Sequence, residues 1–433
     1  MKLKKISAMI LSTIMLTSAL AGCGNSSEEK TSSQSNSDGS TTLKMALWDK
    51  DSTAYIQPMI DIYEEKNPGT NIELVDISSA EYQDKLSVML SGGSDDIDII
   101  TVKDTPGYTA MVNKGQLETL TPYIEKDNIN LDLYSGTTEQ ITVDNELYAL
   151  PFRSDFWVLY YNKDLFDAVG VEYPTNDMTW DEYVEIAEKM TSGSGVDAVY
   201  GTHYHTWRST IQLPSVLDGK NSIIQEDYSY MKPYYEMVLK MQDEKVVMDY
   251  ASLKTGSIHY SGVFENSQVA MLPMGSWFIG TLIADKEKGN TDINWGIVKY
   301  PHAEGVEAGT TVGTITSLAI NSKSSQKDKA WDFIKFFTGE EGAQIIAENG
   351  TMPSIKNESI VETIASMKGF PVDEASKEAL QTVKTYLEMP VNEKTATIEL
   401  ILNEEHDLIM TNSIDLDKGL EEMAKRVKEE LNK

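Results

Sequence analysis

Five histidines and one cysteine in 433 residues leave little material for nucleophilic or metal chemistry. His203 and His205 stand at alternate positions with no nearby third ligand, a weak metal pattern because a zinc site needs three or four protein donors. No Gly-x-Ser-x-Gly, His-Glu-x-x-His or Walker-type loop occurs, which removes the usual nucleophile, zinc and nucleotide readings. The 68 acidic residues offer many carboxylate pairs for glycoside hydrolysis, but the required separation is a spatial fact, so a secreted glycoside-acting enzyme stays open as an alternative. The single thiol, Cys23, has no disulfide partner and follows Leu20-Ala21-Gly22, so its position matters more than its redox chemistry.

The segment around that thiol is built for export. Lys2, Lys4 and Lys5 precede an apolar stretch from Ile6 to Leu20, which ends in small residues and is too short and serine-rich to span a bilayer. Leu20-Ala21-Gly22-Cys23 also resembles the lipobox of bacterial lipoproteins, in which the cysteine becomes the lipidated first residue of the mature chain. An ordinary secretory signal with an incidental cysteine is the alternative. Residues Gly24 to Thr42 are rich in Ser, Asn, Gly and Thr and hold no aromatic residue, so they cannot bury enough apolar surface to fold and read as a flexible tether. Residues 1–22 are thus expected to be a lipoprotein signal peptide and 23–42 a lipidated cysteine with its leash. The protein would be held on the outer face of the cytoplasmic membrane through lipid only.

Removing residues 1–22 takes away three lysines and no acid, leaving 34 basic against 68 acidic residues, a balance of −34. Nucleic acid and anionic lipid would be repelled by such a surface. Arginine occurs only as Arg153, Arg208 and Arg426. The length exceeds that of one small core, the apolar fraction of 40% is ordinary, and no second low-complexity linker follows residue 42. Two domains sharing several crossing segments are therefore expected.

After the tether, strands and helices alternate. Thr42 to Trp48 reads as a strand, Tyr55 to Lys66 as a helix ended by Asn67-Pro68-Gly69, Asn71 to Ile77 as a strand and Ala80 to Leu90 as a helix stopped by Gly92-Gly93. Ile97 to Val102 is an almost wholly apolar run, as a strand covered on both faces should be. Ligands in such α/β sheets bind at the carboxyl ends of strands, which singles out Trp48 and Asp104. The structural alternatives are packing for Trp48 and a helix cap for Asp104. Further on, Thr179 with Glu182 forms a capping box, so Trp180 begins a helix and is structural. Ile141 to Tyr161 reads as a hairpin turning at Asp144-Asn145, then a long extended segment whose Pro151 suits a crossing between lobes better than a central strand.

The stretch Tyr148-Ala149-Leu150-Pro151-Phe152-Arg153-Ser154-Asp155-Phe156-Trp157-Val158-Leu159-Tyr160-Tyr161-Asn162-Lys163-Asp164-Leu165-Phe166, with Gly170, Pro174 and Thr179-Trp180-Asp181-Glu182 behind it, resembles the signature region of the family 1 extracellular solute-binding proteins. These are the carbohydrate-binding lipoproteins of ABC importers. Val269-Ala270-Met271 with Gly275-Ser276-Trp277, the helix Lys329 to Phe337, and Gly350-Thr351-Met352-Pro353 resemble later blocks of the same family, in the same order.

The resemblance implies a periplasmic-binding-protein-like α/β fold: two α/β lobes joined by a multi-segment hinge, with a ligand cleft between them. The first hinge is placed near Phe152 to Asp155 and further crossings near Gln268 and Ser322, giving a first lobe of 43–151 plus 268–322 and a second of 152–267 plus 323–433. The expected protein is a monomer without metal or cofactor that captures a carbohydrate and delivers it to ABC permease subunits; a non-sugar solute such as a peptide or polyamine is the alternative. A sugar offers C–H faces to aromatic platforms and hydroxyls to short polar groups. Under the resemblance the platforms are Trp277, Trp207, Tyr204 and Trp48, and the polar groups Asp104, Arg153 and Asp155. Arg153 could serve an acidic sugar or merely neutralise Asp155. Trp331 and Trp295 are expected in the core, and the amphipathic helix through Leu416, Leu420, Met423, Val427 and Leu431 should dock on the second lobe.

Overall fold

A computed structural model describes residues 40–79, 81–92, 96–134, 136–382 and 384–433. The expected signal peptide, Cys23 and all but the end of the tether lie outside the described residues. Nine strands follow in chain order among them: β1 (Thr41–Trp48), β2 (Thr70–Ile77), β3 (Ile99–Val102), β4 (Leu150–Asn162), β5 (Tyr200–Thr202), β6 (Val269–Gly275), β7 (Trp295–Lys299), β8 (Thr310–Ile320) and β9 (Lys384–Leu387). They join in the order β2-β1-β3-β8-β4-β6-β5, with β7 also on β4 and β9 also on β8.

The opening alternation behaves as the sequence indicates. β2 and β3 both run parallel to β1, and the helix Ile56–Lys66 packs into the same core through Ile56, Met59, Ile60 and Tyr63. All four residues of β3 are buried, as an apolar strand between two covered faces must be. The hairpin before β4 turns where both Asp144 and Asn145 adopt positive φ, residue types that tolerate the left-handed region.

β4 organises the remainder. Leu150 to Phe156 pair with β8, and from Trp157 onward the strand pairs with β6 and β7. The expectation that Pro151 argued against a central strand is corrected: the register slips between Pro151 and Arg153, and this bulge absorbs the missing N–H. Beyond the bulge, Phe156, Val158 and Tyr160 enter the larger core while Trp157, Leu159 and Tyr161 enter a second core on the opposite face.

Strand pairing assigns the later segments to their sheets. Residues 268–309 do not return to the first sheet, because β6 and β7 pair with the second half of β4 beside β5; β8 is the strand that returns to β3. Helices Lys327–Thr338 and Glu340–Glu348 pack against Ile56–Lys66. Helical periodicity reveals a buried face but not the partner that buries it. The C-terminal helix Leu416–Leu431 does join the second core through Leu420, Met423 and Val427, and Trp295 and Trp331 are both 2% exposed.

The capping box has a measurable worth. The Thr179 hydroxyl accepts from Glu182 N–H at 3.3 Å while Glu182 accepts from Thr179 N–H at 2.8 Å, so Thr179→Ala should cost about 1 kcal/mol in urea unfolding. Burial also pushes three histidines down from 6.5, His203 to about 4, His205 to about 3 and His406 to about 3. Unfolded histidines take up protons below about 6.5 whereas these do not, so the stability present above that pH is lost as pH falls through the window toward the folded values. Denaturation midpoints should drop across that window, on the order of 3 kcal/mol for His203 once fully titrated, and His203→Asn should flatten the dependence.

Candidate functional site

Asp155 occupies the point on β4 where the strand changes sheets. Its carboxylate is 1% exposed, lies 2.8 Å from Arg153 Nε and accepts from Ser276 Oγ at 2.9 Å. Burial pushes the carboxyl up, against the opposing pull of Arg153, the Ser276 hydroxyl and Lys356. Arg153 in turn donates through Nη1 to Tyr55 Oη at 3.4 Å and through Nη2 to Thr316 Oγ1 at 3.2 Å, so Thr316 of β8, Ser276 from the turn after β6 and Tyr55 just before the helix Ile56–Lys66 surround one ion pair on β4. Met352, Pro353 and Ser354 lie along this stretch of β4, with Ser354 N–H donating to Phe152 O at 2.9 Å. Just beyond them stands Lys356, whose ammonium burial pushes down to about 8.

Aromatic rings extend from both ends of this pair. Trp48, at the end of β1, lies 6.0 Å from the Arg153 guanidinium and 5.5 Å from Lys103 Nζ, and meets Tyr82 edge-on at 5.2 Å. On the other side Ser276 leads directly into Trp277, the first residue of the helix Trp277–Lys288. Trp277 is half-buried against both cores and donates through Nε1 to Tyr260 Oη at 3.1 Å. Gly275 is required here, since a Cβ would stand 2.0 Å from the Trp277 ring. Trp207, 38% exposed, follows at 6.2 Å from Trp277 and 5.7 Å from Tyr260.

Five of the seven residues expected from sequence therefore form one connected line: Trp48, Arg153, Asp155, Trp277 and Trp207. Tyr204 does not join it; the side chain is 4% exposed and packs edge-on against Tyr183 in the second core. An alternating run of aromatic and polar residues did not show which rings turn inward. Asp104 is the cap that its position before Pro106 suggested, accepting from Gly107 N–H at 2.8 Å and from Gln83 Nε2 at 3.2 Å.

Asp104 has a second connection that sequence did not show. Arg208 is 1% exposed, donates through Nε to Glu399 Oε2 at 3.0 Å and through Nη1 to Gln212 Oε1 at 3.3 Å, and lies 3.9 Å from Glu388. Thr314, the register partner of Asp155 on β8, donates to Glu388 at 3.1 Å. Burial pushes both Asp104 and Glu388 up, and Glu399 raises each further. The helix Thr395–Met410, which carries Glu399, also lies against the helix that Asp104 caps, where Asn113 Nδ2 donates to Glu393 O at 3.0 Å. Tyr55, Tyr260, Thr316, Lys356, Glu388 and Glu399 carried no sequence signal for the site beyond a polar or aromatic identity, whereas Ser276 lay in the Gly275-Ser276-Trp277 block without being singled out.

The arrangement offers hydrogen-bonding groups and exposed ring faces, and no cluster of three or more metal-ligating side chains occurs among the described residues. Comparison with known proteins agrees with a binding role. Residues 48–344 match the family model of the bacterial extracellular solute-binding proteins. The chain is 23% identical to a lactose-binding protein of Rhizobium radiobacter, over 71% of this chain and 74% of the relative. It is 24% identical to a galactooligosaccharide-binding protein of Bacillus subtilis, over 82% of each. A crystal structure of a sugar transporter from Rhizobium etli, in an open conformation, superimposes with a TM-score of 0.78 at 51% identity, covering 90% of this chain and 99% of that one. With its α/β lobes joined through β4 and β8, this chain belongs to the bacterial extracellular solute-binding proteins.

Proposed function

We propose that this protein captures a sugar or oligosaccharide between its lobes and delivers it to the permease of an ABC importer. The carrying observation is the line from Trp48 through Arg153, Asp155 and Ser276 to Trp277 and Trp207, which sets ring faces beside groups that exchange hydrogen bonds with hydroxyls. Relatives named for binding lactose and galactooligosaccharide support the same class of ligand. Arg153 is already engaged by Asp155, which favours a neutral sugar over an acidic one.

The site lies where β4 changes sheets, so a ligand bridging the two sides would favour the closed arrangement over the open one in proportion to its extra contacts. A closed protein then presents both lobes at once to a permease. In this reading the lobes divide at Asp155–Phe156 on β4 and near Gly313–Thr314 on β8. Cys23 carries the lipid that keeps the binder beside its transporter, supported by Leu20-Ala21-Gly22 before it and the polar leash after it.

A thermal-shift screen tests the ligand class. A sugar at about 100 times its dissociation constant should add about 2.7 kcal/mol, and Trp277→Ala should abolish the shift while leaving a cooperative melt. A response to a peptide or polyamine with none to any sugar would sink the reading. For the anchor, Cys23→Ser should move the protein from the membrane to the soluble fraction of fractionated cells with sugar affinity intact; continued membrane association would count against lipidation.

A further inference from the structure

A group of imidazoles beside Trp207 is not used by the line described above. His203 is fully buried and His205 is 8% exposed; neither nitrogen of His203, nor Nδ1 of His205, has a hydrogen-bond partner among the described residues. Their rings are 6.0 Å apart, and His259 stands 5.6 Å from His205 on the other side. Burying an imidazole nitrogen without a partner costs its desolvation, and such groups in a native protein call for an explanation.

His259 is held through Nδ1, which lies 2.8 Å from Ser261 Oγ. It caps the helix Tyr260–Glu265, with Nδ1 accepting from Ser261 N–H at 3.3 Å. An Nδ1 that accepts leaves the proton on Nε2, so the outer nitrogen is a donor. The ring is exposed and lies over Tyr260 at 4.1 Å. His205 meets the exposed Trp207 edge-on at 4.5 Å and Tyr260 at 5.3 Å. Burial above all keeps His205 neutral, reinforced by His203, His259 and the field of Lys254, which is itself paired with Asp407 at 2.9 Å. A neutral imidazole both donates and accepts, as a sugar hydroxyl does.

We infer that His205 and His259, with the exposed face of Trp207, form a second subsite that holds the outer ring of a saccharide of two or more units, the first ring lying at Trp277 beside Ser276. The inference rests on the carbohydrate reading above. The 6.2 Å between Trp207 and Trp277 makes the two platforms neighbours without making them one.

Only five histidines occur, so ¹⁵N-histidine labelling of the protein resolves each ring, with His259→Ala assigning its own signal. Saturating lactose or maltotriose should shift the ring nitrogens of His205 and His259 and leave those of His302 and His406 in place. His259→Ala should weaken these sugars by about five- to tenfold, the loss of one neutral hydrogen bond, while the protein, having lost a helix cap, melts slightly lower but still cooperatively. Saccharide binding that moves neither His205 nor His259, or glucose and galactose moving them as far as maltotriose does, would overturn the second subsite while leaving the carbohydrate reading intact. Absence of binding by wild-type protein to lactose, maltose, maltotriose, glucose and galactose would overturn that reading itself, and the subsite with it.

Discussion

The buried pair of Arg153 and Asp155 is the interaction around which the two lobes are arranged. Taking two charges out of water costs several kcal/mol per ion before their attraction returns anything, so the pair survives only because each member is held by further partners. Asp155 has Ser276, from the turn after β6; Arg153 has Thr316, from β8, and Tyr55, from the start of the first helix region. Removing one charge would leave the other uncompensated in the middle of the strand that both sheets share. The pair therefore ties β4, β6 and β8 together at the place where the chain must also bend if the lobes move.

That location explains why the aromatic residues gather there. Trp48 approaches from the end of β1, and Trp277 from a helix start fixed by Gly275 and Ser276, with Arg153 and Asp155 linking the two. The overall charge is strongly negative, yet the centre of the site carries Arg153, Lys103, Lys356 and Arg208 among its carboxylates. A local balance of this kind suits a neutral, hydroxyl-rich solute. Asp104, Glu388 and Glu399 add a second polar layer in which burial and mutual repulsion push the Asp104 and Glu388 carboxyls up, while Arg208 offsets part of the effect at Glu388.

Several features were legible from local chemistry. Thr179 and Glu182 form the capping box because their spacing alone brings side chain and backbone together. Asp144-Asn145 turns because both residues tolerate positive φ, and Ile99–Val102 is buried because an apolar run needs cover on both faces. Asp104 caps its helix for the same short-range reason. Where local rules ended, expectation went astray: Pro151 lies in a central strand because a bulge absorbs it, and Tyr204 turns into the core.

The sequence by itself determined the opening order of strands and helices through β3, the caps at Asp104 and Thr179 and the turn at Asp144-Asn145, the acidic balance, and a family likeness strong enough to place the fold, because each rests on neighbours within a few residues or on an ordered set of blocks. Only the tertiary structure decided that Arg153 belongs to Asp155, that Arg208 is buried with Glu399, that β6 and β7 join the second sheet, and that His205 and His259 stand beside Trp207. These pairings join residues up to 191 positions apart, and the free energy that selects them, burial and charge compensation in a packed interior, has no counterpart along the chain.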